Sequence, residues 1–157
     1  MYLEEGSKLN LSSNMIHLYL ALNYTLMNNF DKAIIHVDSV ISNITLPHDF
    51  QYLGAIGWVY AKAGYNESAQ QQIEYLLELS NEQFVEPVYL SFAYTGLGEY
   101  ENAFSCIHKA YELHTGHMIY LRAYVDLFLK DISSDPRYDE ILEKMGFELS
   151  RRNKLEN

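Results

Sequence analysis

Apolar residues recur at helical spacing along most of this chain, and the same arrangement occurs three times. Each occurrence surrounds one alanine, Ala33, Ala69 or Ala103, and these alanines are 36 and 34 residues apart. Apolar positions on both sides of each alanine recur every three or four residues, as they do on one face of an α-helix. The pattern therefore predicts a repeated helical unit.

Two apolar stripes flank each alanine, one before it and one after it. The first stripe comprises Leu20, Ile56 and Leu90, the small residues Ala21, Gly57 and Ser91, and the tyrosines Tyr24, Tyr60 and Tyr94; the second comprises Val37, Ile73 and Ile107, then Val40, Leu76 and Ala110. Each unit is therefore predicted to be two packed helices. The small residue and the alanine mark their close approach, so Ala69→Leu or Ala103→Leu should overpack the pair and destabilise it by about 1–3 kcal/mol.

A turn residue separates the two stripes in every unit. Asn28, Gly64 and Gly98 stand five positions before the alanines. Asparagine and glycine tolerate the left-handed backbone conformation that ends many helices. Acidic residues follow, where the positive end of the next helix dipole favours them. The unit is therefore predicted to be helix, tight turn, helix.

The period near 34 residues and the helical hairpin resemble the tetratricopeptide repeat family. The third unit agrees best, and the first departs from the pattern at His17 and Asn28. The matching residues of the third unit are Leu90, Tyr94, Gly98, Tyr100, Ala103 and Ala110. The resemblance implies an all-α fold, a right-handed superhelix of helical hairpins. The repeats would span about residues 14–47, 50–83 and 84–117 of a single domain at 1–157.

Two further helices are expected to cap the repeats, at about residues 118–147. Residues 117–131 read as an amphipathic helix with Tyr124 and Phe128 on its apolar face, and a second helix should begin at Asp135 and Pro136 and stop at Gly146. This end is similar to the C-terminal end of tetratricopeptide regions in multidomain bacterial signalling proteins. The similarity implies that the chain is the regulatory end of a larger signalling protein.

The resemblance also implies a binding surface, because such repeats bind partners on a concave face lined by the first helix of each hairpin. The positions expected to point into that groove are mostly apolar, with Lys62 beside them, so the expected partner is an apolar peptide or helix. Some family members hold a partner's terminal carboxylate with lysines and asparagines, which this row lacks apart from Lys62. The predicted partner-binding residues are Leu18, Leu22, Trp58, Lys62, Val88 and Phe92, with Gly54 in the same row.

Two other interpretations fit the same apolar row as well as an open groove does. The same apolar surface could join two copies of the chain into a homo-dimer or larger assembly, or the rings could simply pack as core. Trp58→Ala separates the readings, because a tryptophan in an open groove would leave stability almost unchanged, whereas a core tryptophan would cost about 3–5 kcal/mol.

Composition and charge exclude several other classes of function. The net charge is −10, with eleven basic and twenty-one acidic residues, which argues against binding nucleic acid. The one basic cluster, Arg151, Arg152 and Lys154, is interpreted as a solvated tail. No window approaches the ~18 apolar residues of a membrane span. A lone cysteine, Cys106, cannot form an internal disulfide, so the cytoplasm is the expected location.

Few residues suggest catalytic or metal-binding chemistry. An enzyme with an unfamiliar site remains a third candidate class of function. His114 and His117 have metal-like spacing but fall in an expected inter-helix loop without a matching ligand pair. Cys106 and His108 are two residues apart on a helix, so they point about 200° apart and cannot act as a nucleophile and its base. No metal, cofactor or catalytic residue is therefore predicted, and the chain is expected to be a noncatalytic scaffold for protein binding.

Overall fold

The predicted stripes fold into pairs of helices. The computed structural model describes residues 14–45 and 50–147, within which every regular element is helical. The helices are α1 (Asn14–Leu26), α2 (Phe30–Ile41), α3 (Leu53–Lys62), α4 (Asn66–Leu79), α5 (Pro87–Leu97), α6 (Tyr100–Glu112), α7 (Leu121–Tyr124) and α8 (Pro136–Lys144), with 3-10 turns at Phe50–Tyr52, Gly116–Tyr120 and Lys130–Ile132. The all-α class is confirmed. The basic cluster at 151–154 and residues 46–47 of the first predicted repeat lie outside the described residues.

The turn within each pair has the predicted left-handed residue. The φ angles of Asn28, Gly64 and Gly98 are 56°, 85° and 77°. In each turn the next N–H donates to the carbonyl of the repeated tyrosine: Asn29 to Tyr24 at 2.8 Å, Tyr65 to Tyr60 at 2.8 Å, and Glu99 to Tyr94 at 2.9 Å. These bonds satisfy carbonyls that the end of a helix leaves without an intrahelical partner. The prediction for these three turns is confirmed.

The repeated apolar positions form the core. Ala33, Ala69 and Ala103 are completely buried, and so are the aliphatic residues that follow them in the second stripe. Helix α1 packs on α2, α3 on α4, and α5 on α6, while α3 also packs along α5. The second stripe of each unit is therefore confirmed as a buried face of a helical pair. In the first stripe the aliphatic and small residues are buried, whereas the three tyrosines are half-buried.

Helices α3 and α5 approach closely because their contact is made by small residues. A Cβ added at Gly54 would lie 2.3 Å from the carbonyl oxygen of Tyr89, and one added at Gly57 would lie 2.8 Å from the Cβ of Ala93. The sequence pattern placed Gly54 in the groove row together with Leu18. That placement is wrong, because the position of Gly54 is filled by the backbone of α5.

The predicted start and end of the last helix, α8, are confirmed. The carboxylate of Asp135 accepts a hydrogen bond from the backbone N–H of Arg137 at 3.0 Å, and Pro136 occupies the first helical position. Hydrogen bonds from the Arg137 side chain and backbone hold the pKa of Asp135 below its ordinary value. Gly146 has a φ of 82°, just after the helix ends.

The segment before this helix departs from prediction. A continuous helix was expected over residues 117–131, but α7 is four residues long and lies between the 3-10 turns Gly116–Tyr120 and Lys130–Ile132. Phe128 and its neighbour Leu129 are both buried, which the irregular turn after α7 permits. We call residues 116–132 the strap, because they cross the face of α1, α3 and α5 described below.

Candidate partner-binding groove

The six predicted binding residues do not form an open apolar row. Trp58 is 3% exposed and Phe92 is 4% exposed, and Leu18, Leu22 and Val88 are buried as well, whereas Lys62 is half-buried. The expected accessibility is therefore wrong for the five apolar residues. We call this face of α1, α3 and α5 the groove. The strap lies over it at Trp58 and Phe92, which is the physical reason why these two rings are buried.

Aromatic rings join the strap to the groove. The Phe128 ring stacks on the Phe92 ring, with centroids 4.1 Å apart and planes at 17°, and meets the Trp58 ring edge-on at 5.6 Å. Tyr124, one turn earlier, meets Phe92 edge-on at 4.8 Å. Such pairs each contribute about 0.5–1.5 kcal/mol beyond their buried area. The groove thus binds an aromatic segment, and that segment belongs to the same chain.

An ion pair between Lys62 and Asp131 holds the C-terminal end of the strap. The ammonium group of Lys62 donates to the carboxylate of Asp131, and it also lies 5.9 Å from the centroid of the Trp58 ring. Lys62, the one basic residue predicted for this surface, is thus engaged by a carboxylate from the strap. Both side chains are about one-third exposed, so the pair is worth about 0–1 kcal/mol.

A polar cluster around His117 holds the N-terminal end of the strap. His117 Nδ1 lies 2.8 Å from one carboxylate oxygen of Glu86, and the His117 backbone N–H donates to the other at 3.2 Å. The Tyr89 hydroxyl lies 3.2 Å from His117 Nε2. Burial and, secondarily, the Glu86 carboxylate raise the pKa of Tyr89 above its ordinary value. These groups place the start of the strap beside α5.

The strap leaves two cavities in the groove. One, of about 250 Å³, is mostly apolar, and the exposed side chains of Met15 and Tyr19 are among those that line it. The other, of about 260 Å³, is lined by Trp58 and by the Lys62–Asp131 pair, among others. Leu127 and Phe128 line both cavities. They therefore form a wall between the two.

One polar atom beneath the strap has no partner. The indole N–H of Trp58 is buried without a hydrogen-bond acceptor among the described residues. A buried, unsatisfied donor costs about 1–3 kcal/mol. The strap therefore covers the groove without meeting all of its hydrogen-bonding capacity.

The groups with candidate chemistry are held in separate places. His114 Nδ1 lies 2.9 Å from the backbone carbonyl of Glu112, whereas His117 is bound to Glu86 in the groove. Burial raises the pKa of the Cys106 thiol to about 11, despite the opposing charge of Lys109, which favours the unreactive protonated form. Within residues 14–45 and 50–147, no three His, Cys, Asp or Glu side chains converge as metal ligands.

Sequence reasoning missed the residues that fill the groove. The sequence pattern predicts Tyr124 and Phe128 on the apolar face of a capping helix, but it does not predict their contact with Phe92. Glu86 and Asp131, which hold the two ends of the strap, carried no signal beyond their charge. The available signal was the aromatic pair itself, four residues apart in a segment outside the three repeats.

Across the described part of the chain, no helix has the length and apolar character needed to cross a bilayer. Searches with protein-family models and against curated proteins and solved structures found no match to this chain. The likeness to tetratricopeptide repeats accordingly stands on the residue pattern and the helical pairs described above.

Proposed function

We propose that this chain is a noncatalytic protein-interaction module of tetratricopeptide-like hairpins, which binds an apolar peptide or helix in the groove of α1, α3 and α5. The observation that supports this most directly is the contact of Phe128 with Phe92 and Trp58. It provides, within one molecule, an example of an aromatic segment held on that face.

The apolar cavity beside α1 has exposed side chains at its edge. Met15 and Tyr19 are 49% and 47% exposed at its edge, and its other walls include Leu22 and Phe92. Burying such side chains against a partner removes apolar surface from water, which favours the complex. We expect the module to work in the cytoplasm, as the regulatory end of a larger signalling protein.

A peptide-display selection against the full chain tests this function. The selected peptides should be rich in apolar and aromatic residues, and Tyr19→Asp should weaken their binding at least about tenfold, because it places a charge at the edge of the apolar cavity. Tyr65→Asp is the matched control, since Tyr65 is equally exposed, at 52%, and lies in the turn between α3 and α4. Equal loss in both variants, or no loss in Tyr19→Asp, would place binding outside the groove.

Self-association is the second candidate function, and the exposed apolar rim favours it. Tyr120 is 52% exposed, and its ring centroid lies 6.4 Å from that of Tyr124, which lines the apolar cavity together with Met15 and Tyr19. A second copy could cover this rim. Light scattering over a wide concentration range checks it, because a dimer should form in the native chain and dissociate in Tyr19→Asp but not in Tyr65→Asp.

A further inference from the structure

The contacts that the strap makes in the groove indicate the chemistry of a ligand that would bind there. This inference rests on the proposed function. We propose that the partner is a peptide with an aromatic residue followed three positions later by an acidic residue, as Phe128 is followed by Asp131. It binds when the turn at residues 125–131 leaves the groove. The strap is then an intramolecular competitor that lowers the affinity of the partner.

The aromatic position is defined by two rings. Phe92 offers a face to Phe128 and Trp58 meets it edge-on, so the space between them has the shape of one flat ring. An aliphatic side chain would fill part of that volume but would lose the edge and face contacts of the rings. The partner's aromatic residue takes the place of Phe128.

The acidic position is defined by charge. Lys62 is the basic residue at this end of the groove that carries a carboxylate partner, and that partner, Asp131, is three residues after Phe128. When Asp131 moves away, the ammonium group becomes available to a carboxylate of the incoming peptide.

The turn that must move is weakly held by its backbone. The N–H groups of Leu127, Phe128 and Leu129 all donate to one carbonyl, that of Tyr124, at 3.2, 2.8 and 3.0 Å. Leu121 and Ile132, on either side of the turn, are buried in the core and keep the ends of the strap in place. Local opening needs least free energy where few backbone hydrogen bonds are lost.

The unsatisfied indole N–H of Trp58 supports exchange of the strap for another segment. A bound peptide presents backbone carbonyls that the strap does not offer to this donor. A partner carbonyl that reached this donor would make a hydrogen bond that the strap lacks, and this bond would offset part of the disadvantage of binding from solution.

The test uses a synthetic peptide of residues 120–132, blocked at both ends, against three full-length chains. These are the native chain, Phe128→Ala, which empties the ring position, and the control Ile119→Ala, whose side chain is 65% exposed. Binding is measured by calorimetry and by the emission of Trp58, the single tryptophan of the chain. Phe128→Ala should bind the peptide at least about tenfold more tightly than the other two chains.

Variants of the peptide test the aromatic position and the acidic position of the motif independently. The peptide with Phe128→Ala should lose binding, and the peptide with Asp131→Asn should bind about two- to fivefold more weakly. A folded Phe128→Ala chain that does not bind the native peptide overturns the inference. Equal binding by all three chains with no change in Trp58 emission overturns it too.

A charge-reversed pair covers the case in which Phe128→Ala does not fold. Lys62 is half-buried on the surface, so Lys62→Glu should fold, and it should prefer the peptide with Asp131→Lys over the native peptide. If Lys62→Glu shows no such preference, the proposed acidic position of the partner is wrong. If display-selected peptides bind in a Tyr19-dependent manner and the strap peptide does not, the inference fails alone, whereas failure of both sets removes the proposed function as well.

Discussion

Phe128 stacks on Phe92 across the groove, with ring centroids 4.1 Å apart, although 36 residues separate them in the chain. The contact joins the strap to the helical hairpins, and it covers Phe92, one of the residues of the row predicted to be open. Under the proposed function, a partner would have to compete for this face with a segment of the same chain, which is always present at high effective concentration.

The strength of this contact can be measured with a double-mutant cycle. Phe92→Leu and Phe128→Leu each keep an apolar side chain but remove one ring, so the coupling free energy isolates the ring–ring term. We expect a favourable coupling of about 0.5–1.5 kcal/mol in the free energy of unfolding by urea. A cycle between Phe128→Leu and Phe104→Leu, on α6, should give a coupling close to zero, and a similar value in both cycles would contradict the pairing.

Gly54→Ala should destabilise the chain strongly for its size. The added Cβ would lie 2.3 Å from the Tyr89 carbonyl oxygen, which is backbone and cannot move without shifting α5. We expect a loss of about 1–3 kcal/mol or more in urea unfolding. Gly116→Ala is the control, because nothing lies within 4 Å of its added Cβ and its φ is not positive. Equal effects at both glycines would mean that α3 and α5 are farther apart.

Cys106 should react slowly with thiol reagents while the chain is folded. Burial raises its pKa to about 11 from an ordinary value of 9.0. At pH 8 the thiolate fraction, and with it the labelling rate, should therefore be about a hundredfold lower than in the urea-unfolded chain. Because the folded pKa is the higher one, this group favours the folded state below pH 9, and the contribution is lost as pH rises from about 9 to about 11. Labelling at the unfolded rate would show that the thiol is accessible.

Local chemistry explains which parts of this fold the sequence could predict. Left-handed turns at Asn28, Gly64 and Gly98 depend on a residue type and its immediate neighbours, so the pattern placed them correctly. The start of α8 at Asp135 and Pro136 is local in the same way. The buried stripes follow from periodicity, because an apolar face that recurs at helical spacing must be covered by something.

The strap could not be predicted in this way, because its path depends on distant pairs. Lys62 and Asp131 are 69 residues apart, and no spacing rule connects them. Gly54 shows a related limit: it shares a repeat position with Leu18, yet the close approach of α5 turns that position into a helix contact. Periodicity indicates that a face is apolar, but it does not state which segment covers it.

Tyr138→Phe tests whether α8 holds the strap in place. Tyr138 is completely buried, and its hydroxyl donates to the backbone carbonyl of Leu121 at 2.7 Å, so the substitution removes this hydrogen bond and keeps the ring. We expect a loss of about 1–3 kcal/mol in the free energy of unfolding, since a buried carbonyl loses a donor. Amide hydrogen exchange should become faster within residues 121–129 than in α3 or α4, because opening of the strap becomes easier. The matched control is Tyr100→Phe, whose side chain is 41% exposed and which should change neither quantity. If the Tyr138 variant were as stable as the native chain, or if exchange increased equally throughout, then the strap would be held by its ring contacts in the groove and not by α8.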